Sequence, residues 1–195
     1  MEKTNEIRQE ILKVAQRIFS HYGFGKTTME LIAKEAGKGK STLYYYFKSK
    51  EEIYASVIEN EGNFIQNELL KIINSAGDTK TIFRKYSLKR FELAKIVVNY
   101  FNVVKDEYLT HYNIIQKYRK KHDEFELMAI KQILLKGISN NELNLNENQV
   151  DDVALGIAAA VKGLEIPFLI ERQSNTIENK IDILLNLFFY GLLKK

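Results

Sequence analysis

The 195-residue sequence has no cysteine, one proline and three histidines. Without cysteine there can be no disulfide scaffold, no thiolate metal site and no cysteine nucleophile. One proline and ten glycines leave few chain breakers. A sandwich of short strands needs turn chemistry every ~8–12 residues, which this chain cannot supply. No uncharged apolar stretch reaches the ~18 residues of a membrane span; the nearest, Asp182 to Leu193, is too short. The opening Met-Glu-Lys-Thr-Asn-Glu carries acids and runs into an amphipathic pattern, unlike a signal peptide. A hydrophobic share of 45% is too high for an intrinsically disordered chain. The expectation is a soluble, cytoplasmic protein of long helices with no membrane partner.

Charge is unevenly distributed. The formal net charge is a mild +4, but residues 1–50 hold ten Lys and Arg against five Glu. The remaining 145 residues hold nineteen basic and twenty acidic side chains. A basic first quarter on a near-neutral body suggests a local anionic partner, with nucleic acid ahead of a membrane surface. A solvated basic face is the plain alternative.

Hydrophobic periodicity predicts nine helices. Ile7, Ile11, Val14, Ala15, Ile18, Phe19 and Tyr22 form one apolar face that ends at Gly23. Thr27-Thr28 offers an N-cap to a short helix over Met29–Ala36. Gly37-Lys38-Gly39 is a tight break before a second short helix, Lys40–Phe47. Ser49 and Glu52 have capping-box spacing and open a helix to about Asn74, with Glu52 expected to reach back to the serine amide. Gly77-Asp78 breaks and caps the next stretch, which divides into helices over 79–98, 101–116 and 119–140, ended by Asn140-Asn141. Asn146-x-x-Gln149 opens a helix to about Arg172, and Asn175-x-x-Glu178 opens the last, to about Lys194. The fold class is all-α.

Two short helices joined by a glycine turn are the sequence form of a helix-turn-helix, whose second helix enters the DNA major groove N-terminal end first. Lys38 and Lys40 sit at the leading end, able to reach phosphates or the O6/N7 edge of guanine. Ser41 and Thr42 tolerate close approach to bases, and Tyr44 and Tyr45 present hydroxyls to phosphate oxygens. Lys50, at the start of the next helix, adds a further cation. Leu43, Tyr46 and Phe47 have the spacing of an inward face, since three consecutive tyrosines cannot share one side of a helix.

These residues resemble the TetR-type bacterial transcriptional regulators. The resemblance runs from Ile11 to Val57, through Ile11, Leu12, Ala15, Phe19, Gly23, Phe24, Thr27, Thr28, Ile32, Ala33, Ala36 and Gly37. It continues in Ser41, Thr42, Leu43, Tyr44, Tyr46, Phe47, Ser49, Lys50 and Glu51. It implies a helix-turn-helix DNA-binding domain over 1–48 and a ligand-binding and dimerisation domain over 49–195. It further implies a homodimer through the last two helices and a repressor released from its operator by a small molecule. The implied DNA-contacting set is Lys40, Ser41, Thr42, Tyr44, Tyr45 and Lys50, with Thr28 capping a helix near a phosphate. The chain departs from the family where an apolar residue, a serine and a later glycine are common: those places hold Lys38, Gly39 and Ser41. Loss of the serine weakens the cap of the recognition helix, and the extra lysines shift contacts toward phosphate.

Other motifs fail on spacing. Gly37 to Thr42 superficially resembles a phosphate-binding loop, but position 34 is lysine where that loop needs glycine, and a helix precedes it instead of a strand. His111 and His122, with Glu126, have helical spacing but are more simply polar helix faces than a metal site. No nucleophile–base spacing stands out, so an enzyme is not expected and no cofactor is implied. A helical protein–protein adaptor remains as a second class.

The middle helices are rich in aromatics, most of which must fill a core. Tyr86, Tyr108 and Tyr112 are the candidates to line a pocket for an apolar or aromatic effector. In the last two helices, Ala154, Gly156, Ala158, Ala159, Ala160 and Gly163 permit close approach. Ile183, Leu184, Leu187, Phe188 and Leu192 form an apolar face. Ala159, Gly163, Leu184, Leu187 and Phe188 are the candidate dimer residues. Pro167 is expected to interrupt its helix.

Overall fold

The computed structural model describes residues 2–97, 112–171 and 177–192. Among the described residues there are eight α-helices, one short 3-10 turn and no strand. They are α1 Glu2–Lys26, α2 Met29–Glu35, α3 Lys40–Tyr46, α4 Lys50–Ile73, α5 Thr79–Ile96, α6 Tyr112–Ser139, α7 Val150–Glu171 and α8 Ile177–Leu192. The 3-10 turn, Glu147–Gln149, leads into α7. The helix expected over 101–116 falls largely outside the described residues. Residues 112–116 instead open α6, which the sequence reading divides before 119. Helix α7 continues through Pro167 where an interruption was expected.

The described residues form two compact units. One holds 2–64 with 97 and 112–118; the other holds 65–96, 119–171 and 177–192. The division falls inside α4.

In the first unit the local chemistry of the sequence is realised closely. Gly23, at φ 75° and ψ 168°, takes the chain out of helical geometry, a conformation open to glycine. The buried Thr27 hydroxyl donates to the Gly23 carbonyl at 2.7 Å and closes the turn. Thr28 then caps α2, its hydroxyl accepting from the Leu31 amide at 3.2 Å. Helix α2 ends on Gly37 at φ 61°: the Lys38 amide donates to Ala33 and the Gly37 amide to Lys34, a Schellman closure. Gly39 caps α3 without a side-chain hydrogen bond, as the missing serine implies. Ile11, Ala15, Phe19, Ile32, Leu43, Phe47 and Ile53 are almost wholly buried. Phe19, Phe24 and Tyr54 add an aromatic cluster, with Tyr54 4.8 Å from each of the other two ring centroids.

In the second unit, the N-terminus of α5 is capped from two directions. The Thr81 amide donates to Asp78 at 2.8 Å, and the Thr79 amide donates to Glu142 at 2.6 Å. Thr81, through its amide and hydroxyl, and Thr79, through its side chain and amide, hold Asp78 and Glu142 respectively below the usual carboxylate range. Helix α6 ends at Ser139, and Asn141, in the expected Asn140-Asn141 cap, lies in the left-handed region at φ 57°. Arg84 on α5 makes a two-pronged contact with Asp182 on α8, at 2.7 and 3.1 Å, beside an edge-to-face Phe83–Phe189 pair. Ile177, Ile181, Leu185 and Phe189 are the buried stripe of α8, four residues apart.

Among the described glycines of this unit, Gly137 is the most closely packed. A Cβ there would lie 2.6 Å from the Thr79 hydroxyl and 2.8 Å from Leu143. The Gly137 carbonyl also accepts from the Glu142 and Leu143 amides, which fixes the backbone around it. Gly137→Val is expected to overpack this junction and cost about 2–3 kcal/mol. A urea titration followed by helical circular dichroism would read that loss, and an unchanged midpoint would contradict it.

Candidate nucleic-acid interface

The sequence folds α3 so that its two faces separate sharply. Leu43 and Phe47 have no exposed surface, and the Arg8 guanidinium lies 4.8 Å over the Phe47 ring. Lys40, Ser41, Tyr44 and Tyr45 are exposed, with Tyr45 the most open at 78%. Thr42 is half-buried. Tyr46, expected to face inward, is also half-buried and packs edge-on against Tyr45 at 5.1 Å. The helix therefore presents lysine, short hydroxyls and two phenols outward from an apolar anchor.

The structure adds partners that the sequence reading did not foresee. The Lys40 ammonium is 2.5 Å from the Glu30 carboxylate and 5.9 Å from the centroid of the Tyr44 ring. The Lys38 ammonium is 3.0 Å from Glu10. The hydrogen bond from Lys40 holds the Glu30 carboxyl below its ordinary range, and Glu30 in turn raises the Lys40 ammonium. Both pairs sit at the surface, where such contacts are weak and exchange readily for a phosphate or base.

Lys50 opens α4, as its sequence position implies, and its ammonium has an intramolecular partner. Its ammonium donates to the Phe24 carbonyl at 2.8 Å and lies 4.2 Å over the Phe24 ring, pinning the start of α4 to the turn after Gly23. This anchoring uses one of its three N–H donors. The Ser49 cap forms, the Glu52 amide donating to its hydroxyl at 3.2 Å. The returning Glu52 carboxylate takes the Lys48 amide at 2.7 Å, one residue earlier than expected.

This stretch has close counterparts. A family model described as "Bacterial regulatory proteins, tetR family" matches residues 11–57, which contain α2, the turn and α3. The regulator QacR of Staphylococcus aureus is 27% identical over 194 residues, covering 96% of this chain and 99% of that protein. Residues 11–57 carry the TetR-family DNA-binding region, and the whole chain is similar to a TetR-type regulator.

The regulator AcrR of Shigella flexneri is 34% identical over 85 residues, a match that covers 43% of this chain and only 40% of AcrR. The crystal structure of a transcriptional regulator from Cytophaga hutchinsonii superimposes with a TM-score of 0.77 at 26% identity, covering 94% of this chain and 97% of that one. Against this TetR-family frame, Lys38 and Gly39 occupy the loop between α2 and α3, and Lys40 is the first residue of the recognition helix.

The second-unit candidates separate less evenly. Tyr86 is 1% exposed and forms part of the core of its unit. Tyr108 lies outside the described residues, as does the side chain of Tyr112, which opens α6. Arg90 on α5 pairs with Glu126 on α6, both nearly buried, and Lys162 on α7 is 2.8 Å from Asp123. Ala159, Gly163 and Leu187 are exposed, while Leu184 and Phe188 are half-buried. The open apolar face also includes Leu155, Ile183 and Tyr190, each more than 60% exposed. Ala154, by contrast, is wholly buried and belongs to the inner face of α7. His111 and the side chain of His122 fall outside the described residues. Among the described residues, no cluster of three or more His, Cys, Asp or Glu side chains is arranged to hold a metal ion. Also among these, no helix is long and apolar enough to cross a membrane.

Proposed function

We propose that this chain is a sequence-specific transcriptional repressor that binds operator DNA as a homodimer and leaves it when a small molecule enters the second unit. The observation that carries the reading is the outward face of α3: Lys40, Ser41, Tyr44 and Tyr45, mounted on buried Leu43 and Phe47. In a helix-turn-helix this face enters the major groove, with Thr28 at the head of α2 near the backbone. Lys38, Lys40 and the spare donors of Lys50 supply phosphate contacts or reach base edges. Residues 1–48 are the reading head; residues 49–195 carry effector binding and dimerisation.

The exposed stripes of α7 and α8, at 155, 159 and 163 and at 183, 187 and 190, support a four-helix contact between two copies. A Cβ at Gly156 or Gly163 would meet nothing within 4 Å, so a facing helix has room to approach. The effector is expected to be apolar or aromatic, and Tyr86, Tyr108 and Tyr112 remain its candidate contacts. It would favour a dimer state whose two recognition helices no longer match major grooves ~34–36 Å apart.

A gel shift with the DNA flanking its own gene tests the proposal, and absence of salt-sensitive binding at every site would sink it. In the same assay, Tyr44→Phe removes a hydroxyl at a phosphate. It is expected to weaken binding to all duplexes alike by about 0.5–1.5 kcal/mol. A loss confined to one operator variant would contradict the phosphate role.

A further inference from the structure

Glu30 is out of place on a surface built to meet an anion. It stands in the first turn of α2, about 58% exposed, and neutralises the lysine that leads the recognition helix. A lysine paired in this way releases no counterion on DNA, so the pair forfeits affinity if it only faces phosphate. It is also well organised. The Glu30 carboxylate holds the Lys40 ammonium, and that ammonium lies 5.9 Å from the centroid of the Tyr44 ring. Because the two charged tips touch, Glu30 stands beside Lys40 at the leading end of α3, within reach of the same stretch of groove.

We infer that Lys40 and Glu30 act as one reading unit that selects a G·C base pair in each half-site. The inference rests on the DNA-binding reading above and assigns Glu30 a role that reading does not give it. The major-groove edge of G·C offers two adjacent acceptors, guanine N7 and O6, followed by the cytosine N4 donor. An ammonium with several donors fits the first two, and a neighbouring carboxylate accepts from the third. An A·T pair places its donor between its two acceptors. An ammonium flanked by a carboxylate then finds one acceptor instead of two. The charge pair opens at little cost because both partners are largely exposed.

The test uses the full-length protein and an operator recovered by selection from a randomised duplex library, followed by every single-base-pair variant in competition. Wild type is expected to require one G·C pair per half-site, with replacement by A·T weakening binding about tenfold. Glu30→Gln and Lys40→Met should each flatten preference at that one pair and leave the ranking of other positions intact. The double variant should lose no more discrimination than either single one. The inference is overturned if Glu30→Gln tightens every duplex alike, with a steeper salt dependence and an unchanged G·C preference. That result identifies Glu30 as a general repeller of phosphate. It is overturned equally if the pair lost by both variants is A·T. Failure of wild type to select any duplex contradicts the DNA-binding reading itself, a result distinct from either of these.

Discussion

Leu187→Arg is expected to convert the protein to a monomer and to weaken operator binding by about a hundredfold or more. Leu187 is 71% exposed on α8, flanked on the same face by Ile183 and Tyr190, with Leu155 exposed on α7. Nothing in its own chain is lost when it becomes arginine, so each protomer keeps its helices. In a two-fold contact, however, the same patch meets itself, and an arginine on each copy must be buried without a counter-charge. Stable homodimers rest on large, apolar interfaces, and a buried uncompensated charge at such a site exceeds what the remaining contacts offset. Loss of the dimer removes the gain from engaging two half-sites at once. Sedimentation velocity and a gel shift read the two consequences separately. A dimeric variant with normal operator affinity would place the interface elsewhere.

Leu43→Ala should abolish DNA binding while the second unit stays folded. Leu43 has no exposed surface and is the only residue of α3 itself that is buried outright; the neighbouring Phe47, just past its C-terminus, is the other anchor. Truncating a fully buried leucine costs about 2–5 kcal/mol, the spread depending on how far the cavity collapses. Helix α3 is seven residues long, too short to persist without tertiary contacts. Its orientation therefore depends on this anchor, and a recognition helix that loses it no longer presents Lys40, Ser41 and Tyr44 together. Hydrogen exchange should show lost protection across α2 and α3 with near-normal protection in α5 and α8. Full protection of α3 in the variant would contradict the anchoring role.

Much of the reading head is legible in the sequence because its determinants are local. Thr28, Gly37 and Ser49 act within four residues of themselves, so their spacing alone places the caps and the turn. The face of α3 follows from helical periodicity in the same way. The lysine partners are not local: Lys38 meets Glu10, Lys40 meets Glu30, and Lys50 donates to the Phe24 carbonyl, contacts that depend on how α1, α2, α3 and α4 pack. A glutamate in the first turn of α2 reads as a favourable helix-dipole charge, which conceals its contact across the turn. The second unit is less legible for a related reason. Both stripes of α8 are apolar, and only packing distinguishes the buried 177, 181, 185 and 189 from the exposed 183, 187 and 190. Tyr86 illustrates the same limit: a tyrosine suited to a ligand pocket is equally suited to a core.

The central claim is that the basic N-terminal segment, residues 1–50, reads DNA through α3. It is tested most directly by measuring the affinity of the full-length protein for its selected operator and for a scrambled duplex between 50 and 200 mM salt. The account predicts a linear fall of log affinity with log salt, about a thousandfold across that range, with the operator preferred throughout. Equal affinity for both duplexes, or binding indifferent to salt, would contradict it.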